Sequence, residues 1–160
     1  MGLASDLKGH IRGVVIANEI GNFLVEAMPD KNYNSSLISA FVAGLAQLGR
    51  ENLGILHEIS IKGEQMNLEV TIRDNLMMIS IFDPNVDMCD IQEEGPSVLE
   101  YFYEVYKNDL ENWDGNQEIF ADFTRALSER IENLLKRTVQ SKEALFTKLF
   151  SVGTNSENSE

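Results

Sequence analysis

Residues Leu76 to Phe82 read Leu-Met-Met-Ile-Ser-Ile-Phe, apolar at every position but one. A strand with one wet face alternates apolar and polar residues, whereas a strand buried on both faces does not. This run therefore predicts a central strand. A sheet built around it must be covered on both sides, and the rest of the chain has to supply both covers. With 160 residues, the chain is long enough for one domain that buries roughly 70% of its unfolded surface.

The segments before this strand supply its partners. Residues 10–18, His-Ile-Arg-Gly-Val-Val-Ile-Ala-Asn, form a β-branched run followed by a turn at Asn18 to Asn22. Phe23 to Met28 returns as the second strand of a hairpin. Pro29 and residues 30–34 read as a loop, after which Ser35 or Ser36 caps a helix. Leu37, Phe41, Leu45 and Leu48 recur at helical spacing and form one apolar stripe. Ala40, Ala43, Gly44 and Ala46 keep the helix narrow, and Gly49 is its expected stop. Ile55 to Ile61 is a third strand. Met66, Leu68, Val70 and Ile72 alternate with polar residues in a fourth, with one dry face.

After the central strand, residues 83–96 hold acids, Gly95 and Pro96 and read as a loop. Ser97 is placed to cap a helix whose apolar face is Leu99, Phe102, Tyr103, Tyr106 and Leu110. Asn112 to Asn116 interrupt it. A last long helix runs over about 117–138, with Phe120, Phe123, Leu127, Ile131 and Leu134 as its core stripe. The order strand, strand, helix, three strands, helix, helix predicts an α+β fold. Its five-stranded antiparallel sheet carries one crossover helix on one face and two C-terminal helices on the other. The expected layout is an N-terminal arm over 1–9, a domain over 10–138, a short amphipathic helix over 139–152 and a disordered tail over 153–160.

Chemistry is hard to find in this chain. The formal net charge of −13 argues against nucleic acid and favours basic protein surfaces. The one cysteine, Cys89, can form neither an intrachain disulfide nor a thiolate zinc cluster. Its acidic neighbours Asp87 and Asp90 disfavour the thiolate, so it reads as inert and the chain as intracellular. His10 and His57 lack metal-binding spacing, and there is no phosphate-binding glycine loop or nucleophile elbow. Glu93-Glu94, Asp87 with Asp90, and Asp109 with Glu111 read as solvated acids. The aromatic group Tyr101, Phe102, Tyr103 and Tyr106 falls at helical spacing and reads as core with polar tips at the rim. No metal, cofactor or enzymatic activity is expected. No apolar run reaches membrane-spanning length, no signal peptide is visible, and Asp6 occupies the position where a myristoylation motif wants Ser or Thr. The expectation is a cytoplasmic protein with peripheral membrane contact left open.

Two features point to partners. The first combines the narrow helix face of Ser36, Ala40, Ala43, Gly44 and Gln47 with Ile55, His57, Ile59 and Ile61 of the third strand. That strand is reached by crossover and left by hairpin, which places it at a sheet edge. An edge with apolar residues on both faces is an aggregation hazard unless a partner pairs with it or a flanking helix hides it. The second is the segment 142–150. There Leu145, Phe146, Leu149 and Phe150 form an apolar face beside Lys142 and Lys148. Such a helix docks on an anionic membrane or a partner's groove, or it folds back on its own domain.

These residues resemble a known family. Gly13 to Ala17, Gly21 and Phe23 to Ala27 are similar to the opening hairpin of roadblock domains. Leu37 to Leu48 is similar to their central helix, and Ile81-Phe82-Asp83-Pro84-Asn85 to their strand-ending turn. The C-terminal part departs from that pattern. Tyr101-Phe102 through Leu110, then Phe120, Phe123, Leu127 and Ile131, resembles the helix pair that closes a longin domain. The resemblance implies a profilin-like sandwich without catalytic residues that forms homodimers or joins heteromeric complexes. It further implies an adaptor or regulator of a small Ras-like GTPase or of a trafficking or polarity complex. In roadblock dimers the crossover helix and the edge strand form the pairing surface, which implies helix 36–48 and strand 55–61 here. Two other functions fit the residues: a membrane tether using 139–152, and a small-ligand sensor with a pocket between sheet and C-terminal helices.

Overall fold

Leu76–Phe82 is the middle of the sheet and every residue in it is buried. The computed structural model describes residues 11–28, 32–84, 89–133 and 147–149, with backbone alone over 89–94. Its strands are β1 (Ile11–Asn18), β2 (Phe23–Ala27), β3 (Glu58–Lys62), β4 (Asn67–Arg73) and β5 (Leu76–Phe82). They form one antiparallel sheet in the order β2-β1-β5-β4-β3. The crossover helix α1 (Ser35–Leu53) covers one face. The other carries α2 (Cys89–Glu111) and, after a 3-10 turn at Gln117–Phe120, a helix α3 over 121–133. The expected fold class and arrangement of layers are both found.

The period of two along each strand sorts the core into two layers. Val15, Ala17, Leu68, Val70, Ile72, Met77, Ile79 and Ile81 face α1. Val14, Ile16, Leu24, Val25, Leu76 and Met78 face α2 and α3. In the second layer Phe102 is fully buried among Tyr106, Phe120 and Phe123, with ring centroids 5.0, 5.4 and 4.8 Å away. Burying one such side chain stabilises the fold by about 1.5–3 kcal/mol. Of the aromatic group, Phe102 and Tyr106 lie in the core as expected, while Tyr101 and Tyr103, the latter expected on the apolar face, are exposed.

Several helix ends differ from expectation. Asn34 caps α1, accepting from the Leu37 N–H at 3.2 Å, so neither Ser35 nor Ser36 is the cap. Gly49 does not end α1. A β-carbon there would lie 2.3 Å from Leu56 Cδ1, so this glycine makes room for the returning chain. The helix runs on to Leu53, and Gly54 stops it with φ of 91°. The segment read as a loop over 83–96 is helical from Cys89 on, with Pro96 inside the helix, so Ser97 is not a cap. Gly95 explains the misreading. It brings the helix backbone down onto Thr71 of β4, a contact that a side chain would block. The last helix begins as a 3-10 turn. Phe120, Phe123 and Leu127 are buried as expected, while Leu134 lies outside the described residues. No helix among the described residues is long and apolar enough to cross a membrane.

Candidate interaction surface

The orientation of α1 decides what this domain offers to a partner. Ser35, Ser39, Val42, Ala43 and Ala46 point at the sheet and are buried. Small side chains let the helix axis lie close to β1 and β2. The opposite side carries the large apolar residues: Leu37 is 69% exposed, Phe41 56% and Leu48 60%. Of the apolar stripe Leu37, Phe41, Leu45 and Leu48, Leu45 alone is half-buried and the other three are exposed. The physical reason is shape. The helix has two apolar faces, and the sheet below it is already filled by β-branched and Met side chains. The thin face fits that space and the bulky face does not.

Between Leu37, Phe41 and Leu48 sits Gly44, where a β-carbon would meet nothing within 4 Å. Glycine inside a helix costs about 1 kcal/mol relative to alanine, and no internal contact requires it here. Ser36, Ala40 and Gln47 are exposed beside it. Ala43, expected on the partner face, is buried at 6% against the sheet. Sequence reasoning found the small residues of the outer face but did not include Leu37, Phe41 and Leu48 in the partner surface. The signal was present: a second stripe of small residues, Ser35, Ser39, Ala43 and Ala46, competes for the sheet.

The edge strand is where it was expected, and it is shorter. Strand β3 spans Glu58–Lys62, not 55–61. Ile55 lies before it at 80% exposure, and Leu56 is half-buried under α1. His57 also precedes the strand, although its carbonyl accepts from the Ile72 N–H at 2.8 Å and so extends the ladder with β4. Ile59 and Ile61 are half-buried on the α1 side, while Glu58, Ser60 and Lys62 are exposed. Pairing therefore leaves the apolar residues of β3 partly sheltered by α1 and its outer backbone groups open. The opposite edge differs. There Gln117 Nε2 donates to the Phe23 carbonyl at 2.7 Å, so the 3-10 turn occupies part of the β2 edge.

A cavity of about 710 Å³ opens where the end of α1, the start of β3 and the β4–β5 turn meet. Arg50, His57, Arg73 and Pro96 are among its walls. It lies at the sheet end, away from the aromatic core between sheet and C-terminal helices where a ligand pocket was expected. Both arginines have acidic partners, Glu19 for Arg50 at 3.4 Å and Glu100 for Arg73 at 3.6 Å. Of the basic amphipathic segment, Lys148 and Leu149 fall in a helical turn over 147–149, and Leu149 is 65% exposed. Lys142, Leu145, Phe146 and Phe150 lie outside the described residues, as do His10 and the arm over 1–9.

No protein-family model matches this sequence, and no curated protein matches it. Solved structures do. The chain is similar to a Roadblock/LC7 domain from Streptomyces avermitilis, at 17% identity and a TM-score of 0.50, over 58% of this chain and 86% of that one. It is similar to MglB from Myxococcus xanthus, at 14% identity and a TM-score of 0.54, over 66% of this chain and 89% of that one. A third neighbour is an MglB structure with a tetrameric arrangement, at 16% identity and a TM-score of 0.50, over 61% of this chain and 85% of that one. At such identities the likeness is one of fold, and the chain has the longin/roadblock fold.

Proposed function

We propose that this chain is a non-enzymatic interaction module that self-associates through the outer face of α1 and the open edge of β3. In this reading it serves as an adaptor or regulator of a small Ras-like GTPase. The observation that carries it is the exposed stripe Leu37, Phe41 and Leu48 around Gly44. Large apolar side chains aligned along one helix face mark an interaction site on a soluble domain. The β3 edge, adjoining the same side, supplies backbone groups that a partner strand would satisfy. A neighbour of the same fold with a tetrameric arrangement supports self-association as a habit of this architecture. The GTPase part rests on the resemblance to roadblock domains, and the net charge of −13 favours a basic contact surface on that partner.

Binding to Ras-like GTPases loaded with GDP or a GTP analogue tests the regulatory part. Binding is expected to depend on the nucleotide and to rise in dissociation constant at high salt. Equal absence of binding in both nucleotide states would remove the GTPase while leaving self-association in place. A second use, contact with an anionic membrane through 139–152, is favoured by the exposure of Leu149 beside Lys148. It is read out by vesicle binding that disappears on Leu149→Glu.

A further inference from the structure

Two cavities meet at one end of the sheet. The larger, of about 710 Å³, lies between the end of α1, the start of β3 and the β4–β5 turn. The second, of about 360 Å³, opens beside it towards the β1–β2 turn. Arg50, Ile72, Asp74 and Asn75 line both, so the two are lobes of one cleft. Each lobe has an apolar wall residue left largely in solvent, Ile55 at 80% exposure in the larger and Ile20 at 74% in the smaller. The charges on the shared wall are not spent on each other. Arg50 meets Glu19 through one contact of 3.4 Å between half-exposed side chains, a weak kind of pair that leaves other guanidinium N–H donors over. Asp74 forms no ion pair with any described residue. Its turn is held by the Glu19 N–H, which donates to the Asn75 carbonyl at 3.0 Å.

We infer that this cleft binds a small zwitterion with an apolar side chain, the chemistry shared by a free apolar amino acid and a short apolar peptide. The ligand carboxylate accepts from the Arg50 guanidinium, a charge-assisted contact stronger than a neutral one. The ligand ammonium group donates to the Asp74 carboxylate. The apolar side chain covers Ile55 or Ile20, and a dipeptide has one for each lobe. A ligand with a single charge fits less well. Arg73 and Glu58 repeat the combination of opposite signs in the larger lobe, so a plain anion or a plain cation meets a wall of its own sign. The larger lobe alone falls within the range of small-molecule sites, roughly 300–1,000 Å³, where apolar walls surround a few placed polar groups. None of Leu37, Phe41 and Leu48 lines the cleft, so the inference does not depend on the self-association proposed above.

The test is isothermal titration calorimetry of the full chain with L-leucine, leucyl-leucine, isocaproate and isoamylamine. The last two are leucine without its amino group and leucine without its carboxylate. One zwitterion per chain is expected to bind, with the acid and the amine each weaker by roughly tenfold or more. Tighter binding of leucyl-leucine assigns the cleft to peptides, and tighter binding of leucine assigns it to free amino acids. Arg50→Gln and Asp74→Asn are each expected to raise the dissociation constant by about tenfold. Both residues are exposed, and Asn tolerates the left-handed backbone at position 74, where φ is 54°, so the fold is expected to persist, which circular dichroism checks. Glu104→Gln, on α2 outside the cleft, removes the same charge as Asp74→Asn and is expected to bind like the wild type. Three results would overturn the inference: no binding of either zwitterion at millimolar concentration, an acid or amine bound as tightly as the zwitterion, or undiminished binding in either cleft variant.

Discussion

Gly95 of α2 rests on Thr71 of β4 so closely that a β-carbon at 95 would lie 2.7 Å from Thr71 Oγ1. The helix meets the sheet at backbone distance, and Thr71 is the residue it touches. Gly95→Ala is therefore expected to destabilise the fold by about 1–3 kcal/mol, the usual cost of overpacking a tight contact. Thr71→Ala removes the obstructing atoms, and the double variant is expected to recover much of the loss. A double-mutant cycle by urea unfolding measures the coupling. Independent, additive effects would mean that the contact does not set the seat of α2.

Gly44 gives a prediction with two opposite signs. Among the described residues nothing lies within 4 Å of a β-carbon there, so Gly44→Ala is expected to stabilise the isolated domain by about 0.8–1 kcal/mol through helix propensity. A methyl group there also fills the gap between Leu37, Phe41 and Leu48, where a second helix would approach. Self-association is expected to weaken. Melting temperature at high dilution and the dissociation constant should both rise. A lower dissociation constant would place the contact elsewhere.

Ser39 is fully buried between α1 and the sheet, and its hydroxyl has no hydrogen-bond partner among the described residues. An unsatisfied buried hydroxyl costs on the order of 1–3 kcal/mol. Ser39→Ala keeps the small volume that lets α1 lie close and removes the polar atom. The variant is expected to gain about 1 kcal/mol, read as a melting temperature a few degrees higher. A loss of similar size would mean that the hydroxyl is satisfied after all.

Tyr106 contributes a pH dependence to stability at alkaline pH. Burial first, and then the negative charge of Asp122, raise its phenol above the ordinary value of 10.0. The unfolded chain ionises this group at lower pH than the folded one. Its contribution to stability is therefore complete below pH 10 and is lost as pH rises through the folded pKa. Tyr106→Phe is expected to flatten the decline in urea stability above pH 10. An unchanged decline would show that other groups govern it.

What could be read from residues alone follows from how each signal arises. The continuous apolar run of β5 and the alternation in β4 report burial directly, so sheet, layers and edge position were legible. Helix α1 was legible but its orientation was not, because a helix apolar on two faces does not say which one meets the sheet. Volume decides that, and it is set by the sheet residues beneath. Glycine misled twice. At Gly49 and Gly95 it permits close tertiary contact with Leu56 and Thr71, but in sequence the first reads as a helix stop and the second as part of a loop. Of the expected partner residues, Ser36, Ala40, Gly44 and Gln47 are at the surface and Ala43 is not. Leu37, Phe41 and Leu48, which are also exposed, were not among them.

The most direct measurement is light-scattering mass across a dilution series for the full chain and for Phe41→Glu. Phe41 lies on the outer face of α1 at 56% exposure, so its replacement is expected to leave the fold intact. Self-association through that face requires a mass near twice that of the 18.0 kDa chain, falling on dilution, and a monomer for Phe41→Glu at concentrations where the wild type is paired. A wild type monomeric throughout, or a Phe41→Glu variant as strongly associated as the wild type, would contradict it.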